Sequence, residues 1–216
     1  MSQPATSAPL LGEPLAVELM NTIWADRSGV HDALADGAGT LAWLRAVEPR
    51  LPRSPAVDRW LRDMSSTEPS ELSDATEGLR RLRDALRRVA ATRTADPRPA
   101  AASAIEDALD AVGVVNGAAA AAPRWSTLEP GADGFVRRTR TEASPGATIT
   151  ALLAEDGIDL CTGPWGDELR ACLAPGCVLY FVRQHPRREW CSSACGNRAR
   201  AARHYQRHRK AGSGSS

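Results

Sequence analysis

Phenylalanine, tyrosine and lysine are scarce in this chain of 216 residues, which has two Phe, two Tyr and Lys210 as its only lysine. It also lacks a run of about 18 apolar residues, the length of a membrane-spanning helix, and this excludes a membrane bundle. The first residues lack the basic start and apolar stretch of a secretory signal, so we expect a cytoplasmic protein with no membrane partner. The hydrophobic share of 43% and the charged share of 25% exclude a collagen and a wholly disordered chain.

Acidic and basic residues are unevenly distributed, although the formal net charge is only +1. Residues 1–169 hold 17 basic and 25 acidic side chains, a balance of −8. Residues 170–210 hold ten basic side chains and one acidic side chain, Glu189, a balance of +9. This asymmetry predicts an anionic partner for the C-terminal end.

Residues 13–165 have the hydrophobic periodicity of helices, and we expect them to form one helical domain. The clearest pattern runs from Ala75 to Val89, where apolar residues recur at every third or fourth position. The arginines between them are expected on the solvent face: Arg80, Arg81, Arg83, Arg87 and Arg88.

Weaker patterns predict the other elements of this domain. A first helix begins at Pro14 and includes Ile23, and Thr40 and Ser54 are expected to cap two short helices. Another helix carries Ile105, Leu109 and Val112 and ends at Asn116, and one more covers residues 146–161, where Gly157 weakens the pattern. Residues 123–141 resemble a β-hairpin.

No cysteine occurs before residue 160, and four of the five fall in one short C-terminal stretch. Four residues separate Cys172 from Cys177, three separate Cys191 from Cys195, and thirteen lie between the two pairs. Clustered cysteines in a cytosolic chain ligate metal more often than they form disulfides, and two close pairs are typical of structural zinc sites. The sequence therefore predicts one structural Zn²⁺ bound by these four residues. The alternative is four buried or free cysteines without a metal.

The residues around the cysteines predict a knuckle, a β-hairpin and a helix. Pro175 and Gly176 supply the tight turn of the knuckle. Residues 178–182 then resemble a strand, residues 184–187 a turn, and residues 188–190 a short return strand. The second cysteine pair follows at a helix start. We therefore expect a mainly α-helical chain that ends in a treble-clef-like zinc finger over residues 170–210.

Three other potential ligands are expected to lie outside the zinc site. Cys161 precedes the knuckle by ten residues, and its helical position favours a small core residue. His204 and His208 are four residues apart on the outer face of the last helix, where a solvated or phosphate-facing role is favoured.

Residues 195–198 read C-G-N-R at the start of the basic helix. On this motif, residues 170–210 resemble the CGNR zinc finger family. Residues 15–22, which end in Asn21 and Thr22, are similar to the ABATE domain that precedes this finger in bacterial proteins described as stress-induced transcription regulators. The resemblance implies a zinc-dependent regulator.

The helix after Cys195 carries arginines at a spacing that places them on one outward stripe. Arginine suits phosphates and guanine edges, and a helix fits the major groove, so we expect binding to double-stranded DNA. Arginines of the preceding hairpin would add phosphate contacts that position the helix. The expected contacts are Asn197, Arg198, Arg200, Arg203, Arg207 and Lys210 on the helix, and Arg183, Arg187 and Arg188 on the hairpin.

The basic helix has other interpretations. It could dock on an acidic protein surface, in this chain or in another protein, as part of a zinc-stapled protein-interaction module. In this alternative neither Gly196 nor Asn197 contacts DNA. Gly196 allows the backbone to come close to the metal, and Asn197 makes a local hydrogen bond.

An enzyme is not expected. The sequence has no Ser-His-Asp set, no phosphate-binding glycine loop and no H-E-x-x-H motif. A zinc ion held by four thiolates also leaves no open position for water. The N-terminal domain is expected to sense a small-molecule ligand or to pair two protomers as a homodimer.

Overall fold

The computed structural model describes residues 8–63, 69–98 and 103–212, with the backbone alone for residue 69 and residues 208–212. Among the helices described, none combines the length and the apolar composition that a membrane span requires. Within these ranges, two short 3-10 helices cover Glu48–Arg50 and Gly166–Glu168. The other elements are, in order, α1 (Leu15–Met20), β1 (Ile23–Asp26), β2 (Gly29–Asp32), α2 (Gly37–Val47), α3 (Pro55–Arg62), α4 (Pro69–Thr94), α5 (Ala108–Ala120), β3 (Trp125–Gly131), β4 (Gly134–Arg140), α6 (Pro145–Thr162), β5 (Leu169–Ala171), β6 (Tyr180–Val182) and α7 (Ser193–Gly212).

The long helix α4 is the central element of the fold and packs against α1, α5, α6 and β5. Leu79, Leu82 and Leu86 on this helix are buried, which confirms its predicted apolar face. Tyr180 and Val182 of β6 belong to the same apolar cluster as the helices, so the C-terminal segment shares the core of the N-terminal domain. The prediction of a mainly α-helical chain that ends in a zinc finger is confirmed.

The prediction that the α4 arginines all face solvent is wrong for two of them. The exposed fraction of Arg83 is 4% and that of Arg87 is 1%. Arg83 pairs with Asp32 at 2.6 Å, and Arg87 donates a hydrogen bond to the carbonyl oxygen of Met20 at 2.9 Å. A buried guanidinium needs such partners, and these come from segments far away in the sequence.

Two helix boundaries near the N-terminus differ from the predicted ones. Asp36, rather than Thr40, caps α2, because its carboxylate accepts a hydrogen bond from the Gly39 N–H at 2.7 Å. Thr40 lies inside that helix. The first helix ends at Met20, so Ile23 belongs to β1 instead.

The helix α5 also differs from its predicted pattern. It continues past Asn116 to Ala120. The buried residues are Ala111 and Val115, whereas the exposed fraction of Leu109 is 80%. The apolar residues of this helix are therefore divided between the core and an open surface.

The described residues also form three antiparallel hairpins. The predicted hairpin is confirmed as β3–β4, with Trp125 opposite Arg140, while β1–β2 was not predicted. The return strand predicted over residues 188–190 does not form. Instead β6 pairs with β5, with Tyr180 opposite Ala171, so the knuckle itself forms the turn between the two strands.

Gly157 lies inside α6 without interrupting it. A Cβ atom at this position would be 2.6 Å from Leu86 Cδ2 and 3.7 Å from the Cβ of Ala16. The glycine therefore permits close packing of α6 against α4 and α1, which offsets its low helix propensity.

Candidate metal centre and basic helix

The first cysteine pair lies on the predicted knuckle. Cys172 directly follows β5, and Cys177 follows the turn at Pro175 and Gly176. Gly176 has a φ of +73°, a conformation that side-chain-bearing residues rarely adopt. A hydrogen bond of 2.9 Å from the Cys177 N–H to the carbonyl oxygen of Ala174 closes the turn.

The second cysteine pair lies at the N-terminal end of α7. Cys191 precedes the helix, and Cys195 lies in its first turn, four residues later. The hydroxyl of Ser192 accepts a hydrogen bond from the Cys195 N–H at 3.3 Å. The positive end of the helix dipole stabilises thiolates at this position.

The four sulfur atoms form one buried cluster in which all lie within 4.8 Å of one another. The sulfur of Cys191 is 3.8 Å from that of Cys177 and 3.4 Å from that of Cys195. Tetrahedral zinc with Zn–S bonds of about 2.3 Å separates its sulfurs by about 3.8 Å. The cluster therefore fits the predicted metal and is able to bind one zinc ion.

Hydrogen bonds among the thiols make it unfavourable for all of them to ionise without a cation. The bond between Cys177 and Cys172 lowers the pKa of Cys172 and raises the pKa of Cys177. The bond to Cys172 also raises the pKa of Cys191. A bound zinc ion would supply the positive charge that allows four thiolates, with release of protons.

A guanidinium from the N-terminal domain supports the first cysteine pair. Arg98 donates hydrogen bonds to the carbonyl oxygens of Cys172 and Cys177, each at 3.0 Å. The fully buried carboxylate of Asp96 pairs with Arg98 and accepts a hydrogen bond from the Tyr180 hydroxyl at 2.8 Å. Although burial opposes the change, the bonds from Arg98 lower the pKa of Asp96, so the carboxylate stays charged beside the guanidinium.

Replacement of Arg98 is expected to weaken zinc binding without removing a sulfur ligand. In Arg98→Gln, the affinity for zinc should fall about 10- to 100-fold, as is usual when a partner just outside the ligand shell is lost. Competition with a chromogenic chelator measures this change. Arg93→Gln is the control, because Arg93 bonds to Gly166 and Asp167 instead of the knuckle. Equal affinities in the two variants would contradict the supporting role.

Two more side chains of the N-terminal domain hold the segment around β6. Asn21 donates a hydrogen bond to the Tyr180 carbonyl oxygen and accepts one from the Tyr180 N–H, both at 2.9 Å. Arg87 donates to the carbonyl oxygen of Val178 at 3.3 Å. Sequence reasoning missed these contacts because the partners are remote in sequence. The only signal was Asn21 in the segment that resembles the ABATE domain.

The three arginines predicted to contact phosphate from the finger hairpin differ in their exposure and in their partners. Arg187 is exposed, and Arg183 pairs with Glu168 at 2.7 Å. Arg188 faces the N-terminal domain, where it pairs with the buried carboxylate of Glu13. This ion pair links the finger to the N-terminal domain.

The residues of α7 that were predicted to contact DNA differ from one another in their neighbours. Arg198 donates a hydrogen bond to the Cys195 sulfur at 2.9 Å, so its guanidinium lies beside the metal cluster. Arg200 donates to the side-chain oxygen of Asn197 at 2.6 Å. The side chain of Lys210 lies outside the described residues. The exposed arginines of α7 with described side chains are Arg198, Arg200, Arg203 and Arg207.

The remaining candidate ligands are not part of the metal cluster. Cys161 is half-buried in α6, and burial raises the pKa of its thiol. His204 is exposed on α7, and the side chain of His208 is outside the described part of the chain.

Comparisons with known families agree with this architecture. The ABATE family model, described as "Putative stress-induced transcription regulator", matches residues 13–164. The CGNR zinc finger model matches residues 168–208. No curated protein is similar enough to the chain to count as a match. The two family models together suggest a zinc-binding protein of the regulator type. The chain belongs to the ABATE family and carries a CGNR zinc finger at its C-terminal end.

Proposed function

We propose that this protein is a cytoplasmic, bacterial transcription regulator whose helix α7 binds double-stranded DNA. The observation that carries the proposal is an exposed stripe formed by Arg200, Arg203 and Arg207. None of the ion pairs among the described residues includes these three arginines. Guanidinium groups in this arrangement suit phosphates and base edges in the major groove.

The other groups have supporting roles in this proposal. Zinc fixes the start of α7 against the knuckle, and Arg198 neutralises part of the thiolate charge. Arg187 adds a phosphate contact from the loop before the helix, which positions the protein without reading bases. The zinc ion is structural, because four thiolate ligands leave no position for a reacting water, and no catalysis is proposed.

Charge reversal of the stripe tests the proposal. In Arg200→Glu/Arg203→Glu/Arg207→Glu, binding to random duplex DNA should be lost at moderate salt, while the zinc content stays at one ion per chain. Fluorescence anisotropy at several salt concentrations measures the binding. Single replacements should lower the salt dependence, since each lost phosphate contact reduces the slope of log K against log salt by about 0.9.

A matched control separates local contacts from the change in net charge. Arg53, Arg59 and Arg62 are three exposed arginines on or beside α3, away from the finger. Their combined replacement by glutamate should leave DNA binding close to that of the unmodified chain. Equal loss in both triple variants would contradict a specific role of α7. If the zinc-loaded chain fails to bind DNA even at low salt, the proposed function is wrong.

A further inference from the structure

The N-terminal domain contains a large acidic groove between α4, α5 and the start of α6, with a volume of about 1160 Å³. Gly113 and Gly117 of α5 line its wall. A Cβ atom at either glycine would meet no atom of the described residues within 4 Å, so these residues leave the space beside the helix open. The charged residues that line the groove are Glu71, Asp74, Glu106, Asp107, Asp110 and Arg81.

The β3–β4 hairpin carries apolar side chains that are exposed in the described part of the chain. The exposed fraction is 72% for Leu128 and 76% for Phe135. Leu128 lies opposite Arg137, and Phe135 is two residues before Arg137, so these three side chains share one face. A two-stranded hairpin is marginally stable alone in water, and exposed apolar groups of this size mark a surface that a partner covers.

We propose that the β3–β4 hairpin of one copy fills the acidic groove of a second copy, in a reciprocal homodimer. Charge complementarity supports this occupant. The groove has five carboxylates and one guanidinium. Arg137 lies on the same hairpin face as Leu128 and Phe135, donates a hydrogen bond to the Ser126 hydroxyl, and takes part in none of the ion pairs seen in the described ranges. Leu128 and Phe135 would cover the small apolar residues of the groove wall.

The position and the length of the hairpin are suited to binding in the groove of a second copy. Ala121 and Ser144, which line the groove, lie just before and just after the hairpin in the chain, so each hairpin leaves from the end of its own groove. A strand of this length extends about 23 Å at about 3.3 Å per residue. The α5 wall is about 20 Å long at about 1.5 Å per residue. When each copy places its hairpin in the groove of the other, the same pair of surfaces is in contact twice, and the dimer is closed with two-fold symmetry.

Substitutions that change the charge of the groove or of the hairpin test the dimer independently of DNA binding. Zinc-loaded chain should have twice the single-chain mass by light scattering. The groove variant Asp74→Arg/Asp110→Arg and the hairpin variant Arg137→Glu should each have the single-chain mass. A mixture of the two variants should recover the dimer mass, because the acidic groove of the hairpin variant then meets an unmodified hairpin, and the two arginines introduced in the other groove meet the glutamate introduced on the hairpin. A single-chain mass for the unmodified protein at all concentrations would overturn the proposal.

A second set of variants fills the groove without changing its charge. Gly113→Leu/Gly117→Leu should yield the single-chain mass with an undiminished thermal midpoint, because leucine favours helix more than glycine does. Asn116→Leu adds the same side chain to an exposed position of α5 outside the groove and should leave the dimer intact. A dimer that survives both the filling of the groove and the charge reversal would place the contact elsewhere and refute the proposal.

Discussion

Cys191→Ser is expected to release the zinc ion and to destabilise both parts of the protein. A serine oxygen replaces one of four thiolates in a cluster whose sulfurs lie within 4.8 Å of one another. Structural zinc binding supplies roughly 10–16 kcal/mol in zinc-finger peptides, and in such sites this is free energy of folding. Because Tyr180 and Val182 belong to the core of the N-terminal domain, the loss should also lower the thermal midpoint of the helices.

Metal analysis after gel filtration and helical circular dichroism on heating measure the two effects. Cys161→Ser is the matched control, because Cys161 is a half-buried cysteine outside the cluster. It should keep one zinc ion per chain. Zinc content that stays unchanged in Cys191→Ser would contradict the ligand assignment. A lost zinc ion with an unchanged helical transition would show that the finger and the helices fold independently.

The sequence predicts the elements whose signals are local. The apolar repeat of α4 and the two cysteine pairs each depend on spacings of a few residues, and the structure contains both. The turn at Pro175 and Gly176 is local in the same sense, since the backbone conformation of Gly176 suits a residue without a side chain.

Features that depend on distant partners were not predicted. Arg87 looks like a solvent-facing arginine in the helical pattern, but its partners are the carbonyl oxygens of Met20 and Val178, which lie 67 and 91 residues away. The predicted pairing of the finger strands is wrong for the same reason. The partner of β6 precedes the knuckle and has only three residues, too few for a hydrophobic alternation to appear.

The hydrogen bonds between the two parts of the chain change the interpretation of the finger. Arg98 reaches the knuckle carbonyls, and Asn21 bonds to the main chain of Tyr180. The cysteine cluster is therefore attached to the helical domain by polar contacts in addition to the shared core. A change in the N-terminal domain that moves either residue should alter the support of the metal site and of the start of α7.

Replacement of Asn21 is expected to give the largest loss of stability outside the zinc ligands. In Asn21→Leu, the N–H and the carbonyl group of Tyr180 lose their partners in a buried site. Each unpaired group costs about 1–3 kcal/mol, so the free energy of unfolding should fall by about 2–6 kcal/mol. Denaturant unfolding of zinc-loaded protein measures the change.

Two comparisons isolate the cause of that loss. Asn116→Leu, at an exposed position of α5, should change the free energy of unfolding by less than about 0.5 kcal/mol. Asn21→Asp keeps the shape and the acceptor for the Tyr180 N–H, but it places an oxygen against the Tyr180 carbonyl, so it should also destabilise the chain. Equal stability of Asn21→Leu and Asn116→Leu would mean that these hydrogen bonds do not join the finger to the helical domain. A separate, earlier unfolding transition of the finger in Asn21→Asp would show instead that this one side chain couples the two parts.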